Sequence, residues 1–288
     1  MFTAKDVMAL REMSGAGMMD CKKALTACEG DMDKAMDYLR EKSLAASAKK
    51  AARIAAEGIV SSYVTDDHKV GAIVEVNCET DFVAKTDDFK ALVNSVAKLV
   101  VEKNPADVDE LMALDCGDGT VAEMVNRAVA KIGEKITIRR FARMEGQLVD
   151  TYIHLGGKTA DAEKAGPAVH DVAMHIAAAK PGVLHRDEVD PADLDKEREI
   201  LRAQALNDPK PKPANIIEKM VEGRIAKYYK EVCLLEQPFV KNPDQSIEQM
   251  LKEHGDVELV AFVRFEMGEG LQKRQDNFAE EVMGQMKK

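Results

Sequence analysis

Three stretches and one thiol carry residue types that could do chemistry. Gly156-Gly157-Lys158-Thr159 has the ending of a phosphate-binding loop, in which backbone amides and a lysine cradle a nucleotide. That loop also needs a glycine five residues before Gly157, and Tyr152 stands there. Gly268-Glu269-Gly270 opens like a dinucleotide fingerprint but has Lys273 in place of the third glycine. His170 and His175 lie five apart, about 140° around a helix, so they cannot share one metal face. One of them reads as a packed or a surface histidine. Cys78 has no flanking histidine to activate it. A buried structural thiol is one reading, and a nucleophile served by a distant histidine is the other. No catalytic set emerges, which favours a binding protein over an enzyme.

The bulk of the chain narrows the classes further. Its 288 residues are 45% hydrophobic and 32% charged, a globular composition long enough for one large domain or two to three ordinary ones. A net charge of −10 excludes a general nucleic-acid binder, which needs a field that attracts phosphates. The basic clusters Lys49 to Arg53 and Arg139 to Arg143 read as solvated faces. Five scattered cysteines (Cys21, Cys28, Cys78, Cys116, Cys233) without a Cys-x-x-Cys pair fit a reducing compartment better than a disulfide framework or zinc site. With no signal core and no apolar run of membrane-spanning length, a cytoplasmic protein is expected.

Stepping along the chain gives the elements that would position any site. Thr3 with Asp6 predicts a helix start, and Ser14-Gly15-Ala16-Gly17 breaks that helix. A second helix spans about Met18 to Cys28; Gly30 ends it and Asp31 caps a third. The Ala/Lys-rich run Leu44 to Ala56 reads as a helical connector. Ile59 to Val64 and Val70 to Val76 predict a hairpin turning at Asp66-Asp67-His68. Asn77 to Lys85 is turn-like. Thr86 caps a helix with Phe89, Leu92, Val93, Val96 and Val100 on its buried face, stopped by Asn104-Pro105. Thr120 with Glu123 predicts another capped helix, and Lys135 to Arg143 alternates as a strand.

The pattern then restarts. Glu57-Gly58 and Ser62-Tyr63-Val64 are echoed by Glu145-Gly146 and Thr151-Tyr152-Ile153, an offset of about 88 residues. Leu92-Val93-x-x-Val96-Ala97 is echoed by Val172-Ala173-x-x-Ile176-Ala177, which suggests two related α+β halves. The second copy is imperfect: Gly156 to Lys164 replaces an apolar strand and is expected to be irregular. Leu194, Leu201 and Leu206, the prolines 209, 211 and 213, then Ile216, Ile217, Met220, Val221 and Ile225 describe an antiparallel helical hairpin. Ser246 with Gln249 caps a helix, Leu259-Ala261-Val263-Phe265 alternates as a strand, and a last helix carries Phe278 and Val282.

Two segments carry a resemblance. Leu10-Arg11-Glu12-x-Ser14-Gly15-Ala16-Gly17-Met18-Met19-Asp20-Cys21-Lys22-Lys23-Ala24-Leu25 and Glu75-Val76-Asn77-Cys78-Glu79-Thr80-Asp81-Phe82-Val83-Ala84-Lys85 closely resemble the two signatures of the elongation factor Ts family. The similarity continues through Lys131-Ile132-Gly133-Glu134, Ala173 to Ala178, Met220 to Arg224, Gln237 to Val240 and Arg264 to Gly270, and so covers essentially the whole chain. It implies an α+β fold: an N-terminal three-helix module like a ubiquitin-associated domain, a duplicated core with antiparallel sheets, an inserted coiled-coil hairpin and a C-terminal helix. The expected division is 1–55, 56–143, 144–185, 186–230 for the hairpin, 231–267 and 268–288.

The resemblance also implies an activity, guanine nucleotide exchange on elongation factor Tu, with no cofactor and no catalytic residue of its own. By position, Asp81 and Phe82 resemble the pair that enters the partner's nucleotide domain, with Thr80 and Val83 completing the segment linked to Mg²⁺ displacement. Arg11, Met18 and Met19 match residues that dock on a helix of that domain, Ile132 and Gly133 match core contacts to it, and His154 matches a contact to the partner's third domain. Read from the residues alone, without the resemblance, Phe82 fills this protein's own core and Asp81 merely starts a turn. Two rival functions stay open: a module holding ubiquitin-like or chaperone clients, and an enzyme built on Cys78. Whether the hairpin pairs two copies of the chain or touches the partner is also open.

Overall fold

The computed structural model describes residues 2–153, 166–206, 213–255 and 257–272. It mixes helices with small antiparallel sheets and divides into two compact units, Met1–Val149 with Phe265–Lys288, and Asp150–Arg264. The expected C-terminal helix and the Gly156 to Lys164 segment lie outside the described residues.

The first unit begins with three helices, α1 (Ala4–Ser14), α2 (Met18–Ala27) and α3 (Met32–Lys50). The Thr3 and Asp6 side chains form a reciprocal capping box, and Gly15 ends α1 in the left-handed region that favours glycine. Val7, Leu10, Cys21, Ala24, Leu25, Ala35 and Leu39 close a small core. The third helix is longer than expected and absorbs most of the supposed connector.

A three-stranded antiparallel sheet follows, β1 (Glu57–Val64), β2 (Val70–Cys78) and β3 (Thr137–Glu145), with β2 central. Between β2 and β3 run four helices: α4 (Asp81–Ala84), α5 (Asp87–Lys103), α6 (Val108–Ala113) and α7 (Val121–Ile132). Side chains alternate across a strand, so Val74, Val76 and Cys78 turn to one face and join Phe89, Val93, Val96 and Val100 of α5 in the main core. Glu75 and Asn77 turn to the other face and are also buried. There Glu75 Oε1 accepts from Arg139 at 2.9 Å and from the Gly268 amide at 2.9 Å, while Oε2 accepts from Arg140 at 2.6 Å. Burial opposes the charge on Glu75, but the amide and the two guanidinium groups outweigh it and hold the carboxyl below its ordinary pKa. Arg139 and Arg140 are therefore structural rather than a solvated face; the partner that recruits them lies 64 and 65 residues earlier in the chain. Gly268 sits at φ +71, and a Cβ there would stand 2.6 Å from the Ala56 carbonyl oxygen, so only glycine brings its amide to Glu75 without strain.

In the second unit, α8 (Pro167–Ala179) carries Val172 and Ile176 into a core with Leu184, Leu234, Phe239, Ile247, Met250 and Leu251. The helices α9 (Pro191–Leu206) and α10 (Ala214–Val232) pack together through Leu194, Leu201, Ile217, Val221 and Ile225. A short pair, β4 (Pro238–Phe239) and β5 (Asn242–Ser246), leads into α11 (Ile247–Glu253), whose capping box is Ser246 with Gln249. The echo of the first half falls on α5 and α8, where the matched positions Leu92 with Val172 and Val96 with Ile176 are buried. It does not survive as sheet: among the described residues neither Thr151 to Ile153 nor Leu259 to Phe265 is in a strand. Leu259 and Phe262 pack inward while Val260 and Val263 are exposed, a spacing of three that no sheet face could use.

Candidate functional site

Among the described residues Phe82 is the most exposed aromatic ring in the exposed hydrophobic set, at 78% accessibility. The strand β2 ends at Cys78, and Thr80 then caps α4, its Oγ1 accepting from the Val83 amide at 3.3 Å. This turn sends Val83 and Ala84 into the main core and Phe82 outward. Phe82 thus does not fill the protein's own core. Asp81 beside it is exposed and accepts from Lys85 Nζ at 2.6 Å, a bond that holds its carboxyl below the ordinary pKa. The same ammonium lies 5.9 Å from the Phe82 ring centroid.

Two carboxylates tie this turn to the loop after α7. Glu134 Oε2 accepts from the Glu79 amide at 3.1 Å and the Thr80 amide at 3.0 Å, and Oε1 accepts from Thr80 Oγ1 at 2.7 Å. In return Glu79 Oε1 accepts from the Lys135 amide at 2.6 Å. Gly133, in the left-handed conformation at φ +89, ends α7 and turns the chain so that Glu134 can reach back. A Cβ on Gly133 would meet nothing within 4 Å, so the surface there is open, and Ile132 just before it is half-buried against the main core. The structure therefore brings Thr80 to Val83 together with Ile132 and Gly133.

The N-terminal helices supply a second exposed set. Arg11 lies in the last turn of α1, and Met18 and Met19 open α2, so the Gly15 to Gly17 loop holds all three at one junction. Met18 and Met19 are exposed, as are Met8 and Met13. This module leads into the Thr80 turn: Lys135 Nζ donates to the carbonyls of Ala51 and Arg53, and the Arg53 guanidinium donates to Glu79. His154 lies outside the described residues.

The other candidates resolve as structure. Cys78 is buried, donates to the Thr80 carbonyl at 3.1 Å, and burial pushes its thiol up to about 12, so no thiolate forms near neutral pH. His175 is buried; its Nε2–H donates to Gln237 Oε1 at 2.9 Å and its Nδ1 accepts from the Val240 amide, so burial keeps the ring neutral. His170 instead pairs with Asp150 at 2.9 Å. Among the described residues no group of His, Cys, Asp or Glu is arranged to hold a metal, and no helix is long and apolar enough to cross a membrane.

Sequence reasoning passed over Glu79, Lys85 and Glu134 as individuals. The only signal was the Gly133-Glu134 step, an acid directly after a helix-ending glycine.

Comparison with known proteins gives one consistent result. Residues 79–269 match the family described as Elongation factor TS. The protein named Elongation factor Ts from Clostridium perfringens strain SM101 is 52% identical over 300 aligned positions, covering 98% of each chain. Its namesake from Clostridium novyi strain NT is 48% identical over 305 positions, covering 99% of each. The chain belongs to the elongation factor Ts family.

Proposed function

We propose that this protein is a guanine nucleotide exchange factor for elongation factor Tu in translation elongation, and that the Thr80 to Val83 turn performs the exchange. The observation that carries the reading is Phe82: a large apolar ring, 78% exposed, on a turn fixed by three hydrogen bonds to one carboxylate. A nucleotide-binding partner holds the phosphates of GDP with amides at a helix N-terminus and with Mg²⁺, which demands near-octahedral oxygen geometry. A ring driven against that region need move its helix only slightly to displace Mg²⁺ and loosen the phosphate site. Burying Phe82 in the partner supplies about 1.5–3 kcal/mol toward that distortion. Asp81, once released by Lys85, can accept partner amides or repel phosphate.

Arg11, Met18 and Met19 are assigned to docking on the partner's nucleotide domain, with Ile132 and Gly133 adding contacts and His154 reaching its third domain. The same reading treats 1–55 as a docking module, 56–143 and the paired segments 144–185 and 231–267 as the core, 186–230 as an inserted hairpin and 268–288 as a terminal module. No chemistry is asked of Cys78, whose buried thiol cannot supply a nucleophile.

Exchange couples two sites, so a factor that weakens GDP binding must itself be weakened by GDP to the same extent. Stopped-flow release of labelled GDP from elongation factor Tu tests this. Phe82→Ala should lower the saturating release rate by tenfold or more, the loss of about 1.4 kcal/mol or more of coupling. Undiminished exchange by Phe82→Ala would defeat the wedge.

A further inference from the structure

The last ladder pair between β2 and β3 at this end of the sheet is Asn77 with Thr137. Beyond it the two backbones separate, and side chains replace ladder bonds. Glu134 spans the gap in one direction, taking the amides of Glu79 and Thr80 and the Thr80 hydroxyl; Glu79 spans it in the other, taking the Lys135 amide. Thr80 Oγ1 is used twice, donating to Glu134 and accepting from Val83.

What this arrangement holds is α4, which has only four residues. One turn of helix does not sustain itself in water, because nucleation fixes several dihedrals for a single hydrogen bond. Val83 and Ala84 anchor one side in the core, but the direction of Phe82 depends on where the cap residue Thr80 sits. Glu134 reaches Thr80 through both the backbone amide and the side-chain hydroxyl of that residue. Hydrogen bonds to an ionised acceptor are about twice as strong as neutral ones, so the carboxylate, rather than any polar group, suits the task.

We propose that Glu134 is a positioning residue for nucleotide exchange: its carboxylate fixes the Thr80 turn so that Phe82 is presented before the partner arrives. This role rests on the exchange reading given above. Ordering the turn in advance removes a conformational cost from the encounter and leaves the binding energy of Phe82 available for distorting the partner. Glu134 acts on the release step and contributes little to docking, which the exposed residues carry.

The test uses the full chain as wild type, Glu134→Ala, Glu134→Gln and Phe82→Ala. Three quantities are measured: the saturating rate of GDP release from elongation factor Tu, the factor concentration giving half that rate, and hydrogen exchange of the free factor over residues 79–85. Glu134→Ala should speed exchange of the Glu79 and Thr80 amides and cut the saturating release rate about tenfold, with half-saturation moving less than about threefold. Glu134→Gln retains one acceptor oxygen without the charge and should recover part of both losses.

A fully active Glu134→Ala with a loosened turn would overturn the proposal, as would lost activity that tracks a lower melting temperature and is not recovered by glutamine. If wild type leaves GDP release unchanged, the exchange reading itself fails and this role falls with it. If Phe82→Ala is impaired while Glu134→Ala is not, only the positioning role falls.

Discussion

The two units answer the same problem, a polar side chain inside a core, in opposite ways. In the first, Glu75 is fully buried as a charge, locked between Arg139, Arg140 and the Gly268 amide. In the second, His175 is fully buried as a neutral ring between Gln237 and the Val240 amide. The first solution belongs to a real sheet whose central strand is covered on both faces; the second belongs to packed helices with a two-strand remnant. A strand covered on both faces has a fixed end, and the first unit uses that end to project Phe82. The helix echo in α5 and α8 shows similar sequence used for packing in both units, while among the described residues the first unit alone projects an exposed ring from a strand end.

The contrast is sharpest between two rings seven residues apart. Phe89 is fully buried under β2, and Phe82 is exposed on the turn before it. Phe89→Ala should cost about 3–5 kcal/mol of stability, whereas Phe82→Ala should leave the melting temperature unchanged within error. Thermal melts of both variants decide it; a matching loss in Phe82→Ala would return that ring to the core.

Acid should separate the units. The folded pKa of His175 lies below its ordinary value of 6.5, so its contribution is complete above pH 6.5 and is lost as pH falls below that toward the folded value. The folded pKa of Glu75 lies below its ordinary 4.5, so its contribution persists above pH 4.5 and is lost only as pH falls through the lower folded value. Hydrogen exchange between pH 6.5 and 4.5 should therefore show protection falling first in residues 166–206 and 213–255. Earlier loss around Glu75 would reverse the comparison, and a His175→Gln variant that still shows the acid step would remove its stated cause.

The smallest effect is expected at Asp81. Its carboxylate is solvated and held chiefly by Lys85, so Asp81→Ala should reduce GDP release less than Phe82→Ala and leave the melting temperature unchanged. Equal losses in the two variants would mean that the charge contributes as much to exchange as the ring.

Local rules made much of this legible beforehand. Thr3 with Asp6, Thr120 with Glu123 and Ser246 with Gln249 all form the capping boxes that three-residue spacing implies, because the cap and its amide are neighbours in the chain. Contacts between distant residues were not legible. Arg139 and Arg140 resemble a solvated cluster until Glu75 is placed opposite them, and Glu134 is unremarked until the fold brings it to Thr80, 54 residues away. The helices α4 and α6 are too short to show a period. Leu259 to Phe265 alternates in sequence, yet its packing follows Leu259 and Phe262, because the unit offers no ladder partner among the described residues.

The Gly268 amide on Glu75 has a consequence for how the protein is made. A ribosome delivers residues 150–264 as one uninterrupted stretch, so the second unit can assemble as soon as that stretch has emerged. The first unit is discontinuous: its central carboxylate must wait 193 positions for its last hydrogen bond. Until then Asn77 and Glu75 lack the cover of Met267 and Gly268, and one face of the sheet that carries the Thr80 turn is left open. Nascent chains halted before residue 265 should thus leave the older half of the polypeptide the less protected half, the reverse of ordinary vectorial folding.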